Sequence, residues 1–217
     1  MTDCKLIPAR RVETEFTDQH SRFITNAAPA FSVMEAQDFI ACIKDKYSDA
    51  NHHVPVYLIG HGGATIAHCS DEGEPAGTAG RPALAVLQGS GLGDIVAVIT
   101  RYFGGTKLGT GGLVRAYSDS MRVVLEAMPL AKKVATTTIM FVVPYALFEQ
   151  SKLLVSHHDG LIVDQVFGAD VTLTVRLIDK HMSSFKDRMV NLSHGGVEFI
   201  TIEERENTIM PLRNKKR

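Results

Sequence analysis

The chain has 217 residues, 45% hydrophobic and 22% charged, a composition that suits two small globular domains and excludes a disordered or low-complexity protein. Lys and Arg total 23 against 24 Asp and Glu, so nucleic-acid binding has to come from a local patch and not from a bulk field. Cys4, Cys42 and Cys69 have no Cys-x-x-Cys spacing, which argues against a disulfide framework and a cysteine zinc site.

The N-terminus carries Asp3, Lys5, Arg10, Arg11 and Glu13 where a signal peptide needs an apolar run. The longest apolar stretch, Ile139 to Phe148, is too short to span a bilayer and contains Pro144. A cytoplasmic protein with no membrane partner is expected.

The first 20 residues are polar and mixed, with an edge strand expected around Lys5 to Val12. Ser32 followed by Glu35 forms a capping-box pattern and opens a helix, with Ala36, Phe39, Ile40 and Ile43 at helical spacing. Val54 to Ile59 reads as a buried strand, and Ile66 to Cys69 as its hairpin partner. An acidic loop, Asp71 to Pro75, leads to Pro82, which suits the first turn of a short helix ending near Leu87. Asp94 to Thr100 is the clearest core strand. A glycine-rich loop and a helix from about Gly112 to Met128 follow it, and Pro129 with Lys132 and Lys133 reads as a linker.

The second half reads strand (Ala135 to Val143), helix (Pro144 to His158), two strands (Leu161 to Phe167 and Val171 to Leu177), a helix capped by Asp179, and a last strand (Val197 to Ile202). That βαββαβ order is the ferredoxin-like arrangement. The expected division is 1–132, 135–204, and a basic, disordered tail at 205–217.

Chemistry concentrates between Arg101 and Tyr117. Five of the nine residues from Gly104 to Gly112 are glycine, which permits positive φ and close backbone approach to a ligand. The loop lies between a strand and a helix, where unpaired N–H groups and the helix dipole favour an anion. The candidate anion or nucleic-acid site is therefore Arg101, Gly104, Gly105, Lys107, Gly109, Gly111 and Arg115. The blander reading is a tight turn whose charges pair with Asp71, Glu72 and Glu74. Leu108 stands where a Walker loop needs Ser or Thr, and Val114 where a dinucleotide fingerprint needs glycine. Those two residues argue against a standard ATPase or Rossmann enzyme.

Asp71, Glu72 and Glu74 form a possible acidic partner loop, able to hold Mg²⁺ beside a phosphate or to pair with the cationic loop. His52 and His53, adjacent on a strand, point to opposite faces, and no His-x-x-x-His spacing occurs, so no metal is assigned. Cys69 beside His68 lacks an orienting partner for a nucleophile. Tyr102 and Phe103 are candidates to stack on bases, with Tyr102 expected to be exposed and Phe103 to anchor in the core.

RYFGGTKLGTGGLVRAY, together with Asp71-Glu72-Gly73-Glu74-Pro75 and Gly77-Thr78-Ala79-Gly80-Arg81-Pro82, closely resembles the signature of the YigZ/IMPACT family. Ser21-Arg22-Phe23-Ile24 and Ala50-Asn51-His52 resemble further pieces of it. The resemblance covers about residues 20 to 130 and is specific, because several ordered motifs match together. The second half resembles the smaller domain of the bacterial YigZ branch by pattern.

The resemblance implies an α+β fold of two domains. The first would be like the second domain of a small-subunit ribosomal protein, and the ferredoxin-like second like the last domain of elongation factor G. Eukaryotic relatives regulate translation through a separate N-terminal domain; this chain is expected to lack it, so that partner-binding role is not carried over. Glu72 departs from the family, which usually has Asp there, and this weakens a metal role for the loop.

The leading expectation is a non-catalytic, translation-associated factor that binds RNA or the ribosome through the glycine-rich loop, with no cofactor and no catalytic residue. The rivals are an enzyme or sensor for a small phosphorylated metabolite or nucleotide using the same loop, and a protein–protein adaptor.

Overall fold

The computed structural model describes residues 5–212, in two compact units, Met1–Lys132 and Lys133–Arg217. The first strand, β1 (Lys5–Pro8), borders β7 (Leu130–Val143), whose first residues belong to the first unit. The segment expected to be one edge strand from Lys5 to Val12 is thus two strands, since β2 (Val12–Asp18) begins at its far end.

The first unit is built on an antiparallel five-stranded sheet in the order β2-β3-β6-β4-β5. Its members are β2, β3 (Ser21–Pro29), β6 (Ile95–Tyr102), β4 (His52–Ile59) and β5 (Ile66–Cys69). The β2–β3 hairpin escapes a sequence reading because its turn residues, Gln19 and His20, hold positive φ (43° and 69°) without Gly, Asn or Asp. Strand β6 is apolar on both faces because both are covered. Ile95, Ala97 and Ile99 face α2 (Gly80–Gly89) and α3 (Gly109–Ala127), while Val96 joins Ala28, Tyr57 and Ile59 beneath α1 (Val33–Lys46). Each fully buried Val or Ile there contributes roughly 1.5–3 kcal/mol.

Helix α1 starts as its sequence dictates. Ser32 Oγ accepts from the Glu35 N–H at 3.1 Å, and Glu35 reaches back to the Phe31 N–H at 2.8 Å, one residue earlier than in the usual box. Ala36 and Ile43 are buried, and Phe39 and Ile40 pack on the sheet.

The second unit comprises β7, α4 (Tyr145–His157), β8 (Leu161–Phe167), β9 (Val171–Ile178), α5 (Asp179–Leu192) and β10 (Ile200–Pro211). Its strands are ordered β10-β7-β9-β8, with the first and third strands of the βαββαβ unit at the centre, which is the ferredoxin-like arrangement. Ile139, Phe141, Leu173 and Val175 meet Phe185 and Met189 of α5 and Val155 of α4 in one core.

Three expectations change here. Residues 129–133 are no linker, because β7 begins at Leu130 and carries Lys132 and Lys133 within it. The expected tail from residue 205 is strand as far as Pro211. Thr208 and Met210 are buried, and Thr208 Oγ1 lies 2.6 Å from Thr136 Oγ1, so pairing with β7 orders this segment. Residues 213–217 lie outside the described range. Asp179 is the first helical residue and not a cap; its carboxylate accepts from Thr137 Oγ1 at 2.8 Å.

Candidate functional site

Strand β6 delivers the glycine-rich loop at its end, and α3 begins immediately after it. The loop is anchored from behind. Phe103 N–H donates to Asn51 Oδ1 at 2.8 Å, and Gly104 N–H donates to Ser21 Oγ at 3.3 Å. Gly104 passes so close to the β2–β3 turn that a Cβ would lie 2.1 Å from the His20 carbonyl carbon and oxygen. Gly105 and Gly109 adopt positive φ, 86° and 71°. Ser21 and Asn51, not assigned to the site on sequence grounds, therefore set its position; both lie in the short segments that resemble the family pattern.

The three acidic residues are engaged by the chain itself. Asp71 caps α2: its carboxylate accepts from the N–H groups of Gly77 (2.7 Å), Gly80 (2.8 Å) and Ala79 (3.1 Å). Burial raises its pKa, but those three donations outweigh burial and hold it below the usual carboxylate range. Glu72, with φ 45°, pairs with Lys44 at 3.0 Å, and His52 Nδ1–H donates to its carbonyl. Among the described residues no three His, Cys, Asp or Glu side chains come together as a metal site.

Glu74 is buried and accepts from Arg101 Nη1 at 2.6 Å and from Tyr117 O–H at 2.8 Å, with His52 Nε2 at 3.8 Å. Burial, then the Glu74 charge, push the Tyr117 phenol far up, so it stays a hydrogen-bond donor. Arg101 also donates to Ser21 Oγ at 3.2 Å, and its guanidinium carbon lies 5.5 Å from the Phe23 ring centre and 5.7 Å from that of Phe103. Arg101 as a whole is 5% exposed.

The site residues thus separate. Arg101 points inward to Glu74, and Gly104 gives its N–H to Ser21. Gly105, Lys107, Gly109, Gly111 and Arg115 are exposed, and neither Lys107 nor Arg115 has a hydrogen bond or ion pair within the described residues. Among the described residues the pairing between acidic loop and cationic loop is limited to Glu74 with Arg101.

The aromatics exchange places relative to expectation. Phe103 is 46% exposed, whereas Tyr102 is half-buried and donates to Asp49 at 2.7 Å. Phe103 follows the end of β6, and its ring covers the Arg101 guanidinium instead of entering the core.

Helix α3 opens on Gly109-Thr110-Gly111-Gly112, with Leu108 at the cap position, no side-chain cap and no acidic residue in its first turn. The first N–H groups of a helix have no partner within it. In α2 Asp71 takes the N–H of Gly80 and that of Ala79 at the cap position; in α3, among the described residues, no side chain takes those of Gly109 to Gly112. Val56 of β4 pairs with Cys69 of β5; Cys69 packs partly buried against the core, and burial followed by the Asp71 charge raises its thiol pKa.

No helix among the described residues is long and apolar enough to cross a membrane. Residues 19–125 match the Impact N-terminal domain, and residues 141–195 match a domain of unknown function, DUF1949. The chain is similar to the IMPACT family member YigZ of Escherichia coli (strain K12), 36% identical over 92% of this chain and 98% of that protein. It is 33% identical to the IMPACT family member YvyE of Bacillus subtilis (strain 168), over 84% of each. A crystal structure of a hypothetical protein, 35% identical, covers 94% of this chain and all of its own, with a TM-score of 0.60. On these identities, which run across both units, the chain belongs to the IMPACT family.

Proposed function

We infer that this chain is a non-catalytic accessory factor of translation that grips phosphates of RNA or the ribosome at the start of α3. The observation that carries this reading is the contrast between two helix N-termini in one unit. Asp71 closes the start of α2 through the Ala79 and Gly80 N–H groups, while α3 opens on four small residues with no cap, an exposed Lys107 before it and Arg115 on its second turn. The N–H groups and the helix dipole attract an anion, and Lys107 adds a full charge. Arg101 is not a gripping residue in this reading, because its guanidinium is held by Glu74. Family membership is the reason for placing the grip in translation.

The experiment is co-sedimentation with ribosomes across a salt series, beside a Lys107→Ala/Arg115→Ala variant. Binding that weakens with salt, and weakens further in the variant, is the expected result. Equal binding by the variant would remove the site. Absence of sedimentation at low salt, with thermal stabilisation by a phosphorylated metabolite, would transfer the same loop to the small-ligand reading; a stoichiometric protein partner that survives nuclease would favour an adaptor.

A further inference from the structure

Helices α2 and α3 pack side by side and leave an open groove of about 750 Å³, lined in part by Arg81, Ala85, Val86, Val114, Ser118 and Arg122. With 100° between successive helical residues, Gly111, Arg115, Ser118 and Arg122 fall within a stripe about 60° wide on α3. That stripe runs for about 16 Å from the first turn of the helix. Lys107 precedes its open end, and Arg81 faces the groove from the first turn of α2.

Arg81 and Arg122 line the groove over an apolar floor of Pro82, Ala85, Val86 and Val114, and Lys107 and Arg115 lie outside that lining, toward the start of α3. Arg81, like Lys107 and Arg115, has no hydrogen bond or ion pair within the described residues, and Arg122 has one, to Asp119. Of the nearby carboxylates, Asp119 pairs with Arg122, and Asp71 accepts from three backbone N–H groups while its charge also acts on Arg81. Glu126 is exposed on the last turn of α3, away from the open end. This concentration of cations occurs in a chain whose net charge is only −1.

We propose that the α2–α3 groove binds single-stranded RNA, with phosphates on Lys107, Arg115, Arg81 and Arg122 and sugar and base edges on the apolar floor. This rests on the phosphate-gripping reading of the α3 N-terminus and extends it into a track. A single strand is the occupant because its bases can turn onto Val114, Ala85 and Val86, whereas a duplex presents only backbone to such a floor. No aromatic side chain lines the groove, so binding tolerates sequence.

The test is fluorescence anisotropy of a labelled oligouridylate of about 12 nucleotides, titrated with the full chain over a salt series. Four phosphate contacts give a slope of log K against log salt near −3, at about −0.7 per contact. Arg81→Ala/Arg122→Ala is expected to weaken binding about tenfold or more and to shrink the slope by about 1.4. Val114→Glu, which keeps every cation but places a carboxylate on the floor, is expected to weaken binding as well. All three positions are exposed, and circular dichroism confirms folding of each variant.

No binding of the oligonucleotide by the parent protein at low salt would overturn the groove, and absence of ribosome co-sedimentation as well would overturn the phosphate grip. Loss of binding in Lys107→Ala with unchanged binding in both groove variants would overturn the groove alone. Equal affinity for a duplex of the same length would also overturn it.

Discussion

Arg101→Met separates a structural ion pair from a ligand site. The Arg101 and Glu74 side chains are 6% and 3% exposed, with Nη1 donating to Oε1 at 2.6 Å. Removing the guanidinium leaves the Glu74 carboxylate buried with the Tyr117 hydroxyl as its one close donor, since His52 stands at 3.8 Å. Breaking one side of a buried pair costs about 3–5 kcal/mol. For a unit of this size, at about 3–4 °C per kcal/mol, the midpoint falls by about 10–20 °C. Replacing the partners together, as Arg101→Met/Glu74→Leu/Tyr117→Phe, leaves no orphaned charge or hydroxyl and is expected to recover at least half of that loss. The assays are thermal and urea denaturation followed by circular dichroism, as the chain has no Trp. A loss below about 1 kcal/mol for Arg101→Met, or a triple variant no better than the single one, would refute the internal ion pair. Loss of RNA binding by Arg101→Met under conditions where it is fully folded would return Arg101 to the anion site.

Further predictions concern the loop and its supports. Gly104→Ala is expected to cost about 3 kcal/mol because the added methyl meets the His20 backbone. Gly105→Ala, with open space but φ of 86°, should cost only about 1–2 kcal/mol; equal urea midpoints for the two would contradict the close approach. Asp71→Ala removes the α2 cap and should cost about 1 kcal/mol near neutral pH. The folded-state pKa of Asp71 is lowered, so its contribution is present above the ordinary value of 3.8 and is lost as pH falls through the folded value. The stability difference from the parent should therefore shrink in acid, and a difference that grows there would contradict the capping role. His53, whose pKa is lowered first by burial and then by the Lys44 charge, acts at milder acidity: stability should begin to fall as pH drops below 6.5. A His53→Gln chain should show less of that loss in urea titrations. Cys69, with its thiol pKa raised, should react slowly with iodoacetamide at neutral pH, and rapid alkylation before unfolding would contradict its packing.

Local chemistry made much of this molecule legible in the sequence. The Ser32–Glu35 box, the β-branched run of β6, the glycine density before α3 and the βαββαβ order of the second unit all act over a few residues, so their consequences show in the string itself. Ordered motifs from the acidic loop to Tyr117 made the family legible as well.

The fates of individual charges were not legible. Arg101 and Lys107 look alike beside the glycines, yet one is bound to Glu74, 27 residues earlier in the chain, and the other faces solvent. Asp71 and Glu74 look like one acidic cluster, yet one caps a helix and the other is buried beneath a tyrosine. The β2–β3 hairpin, turning at Gln19 and His20 without a turn residue, and the strand that replaces the expected tail depend on a partner strand to close them. Sequence determined which segments form elements because propensity and periodicity are local. Only tertiary structure decided which polar groups are consumed internally and which remain for a ligand, because burial and ion pairing depend on residues distant in the chain.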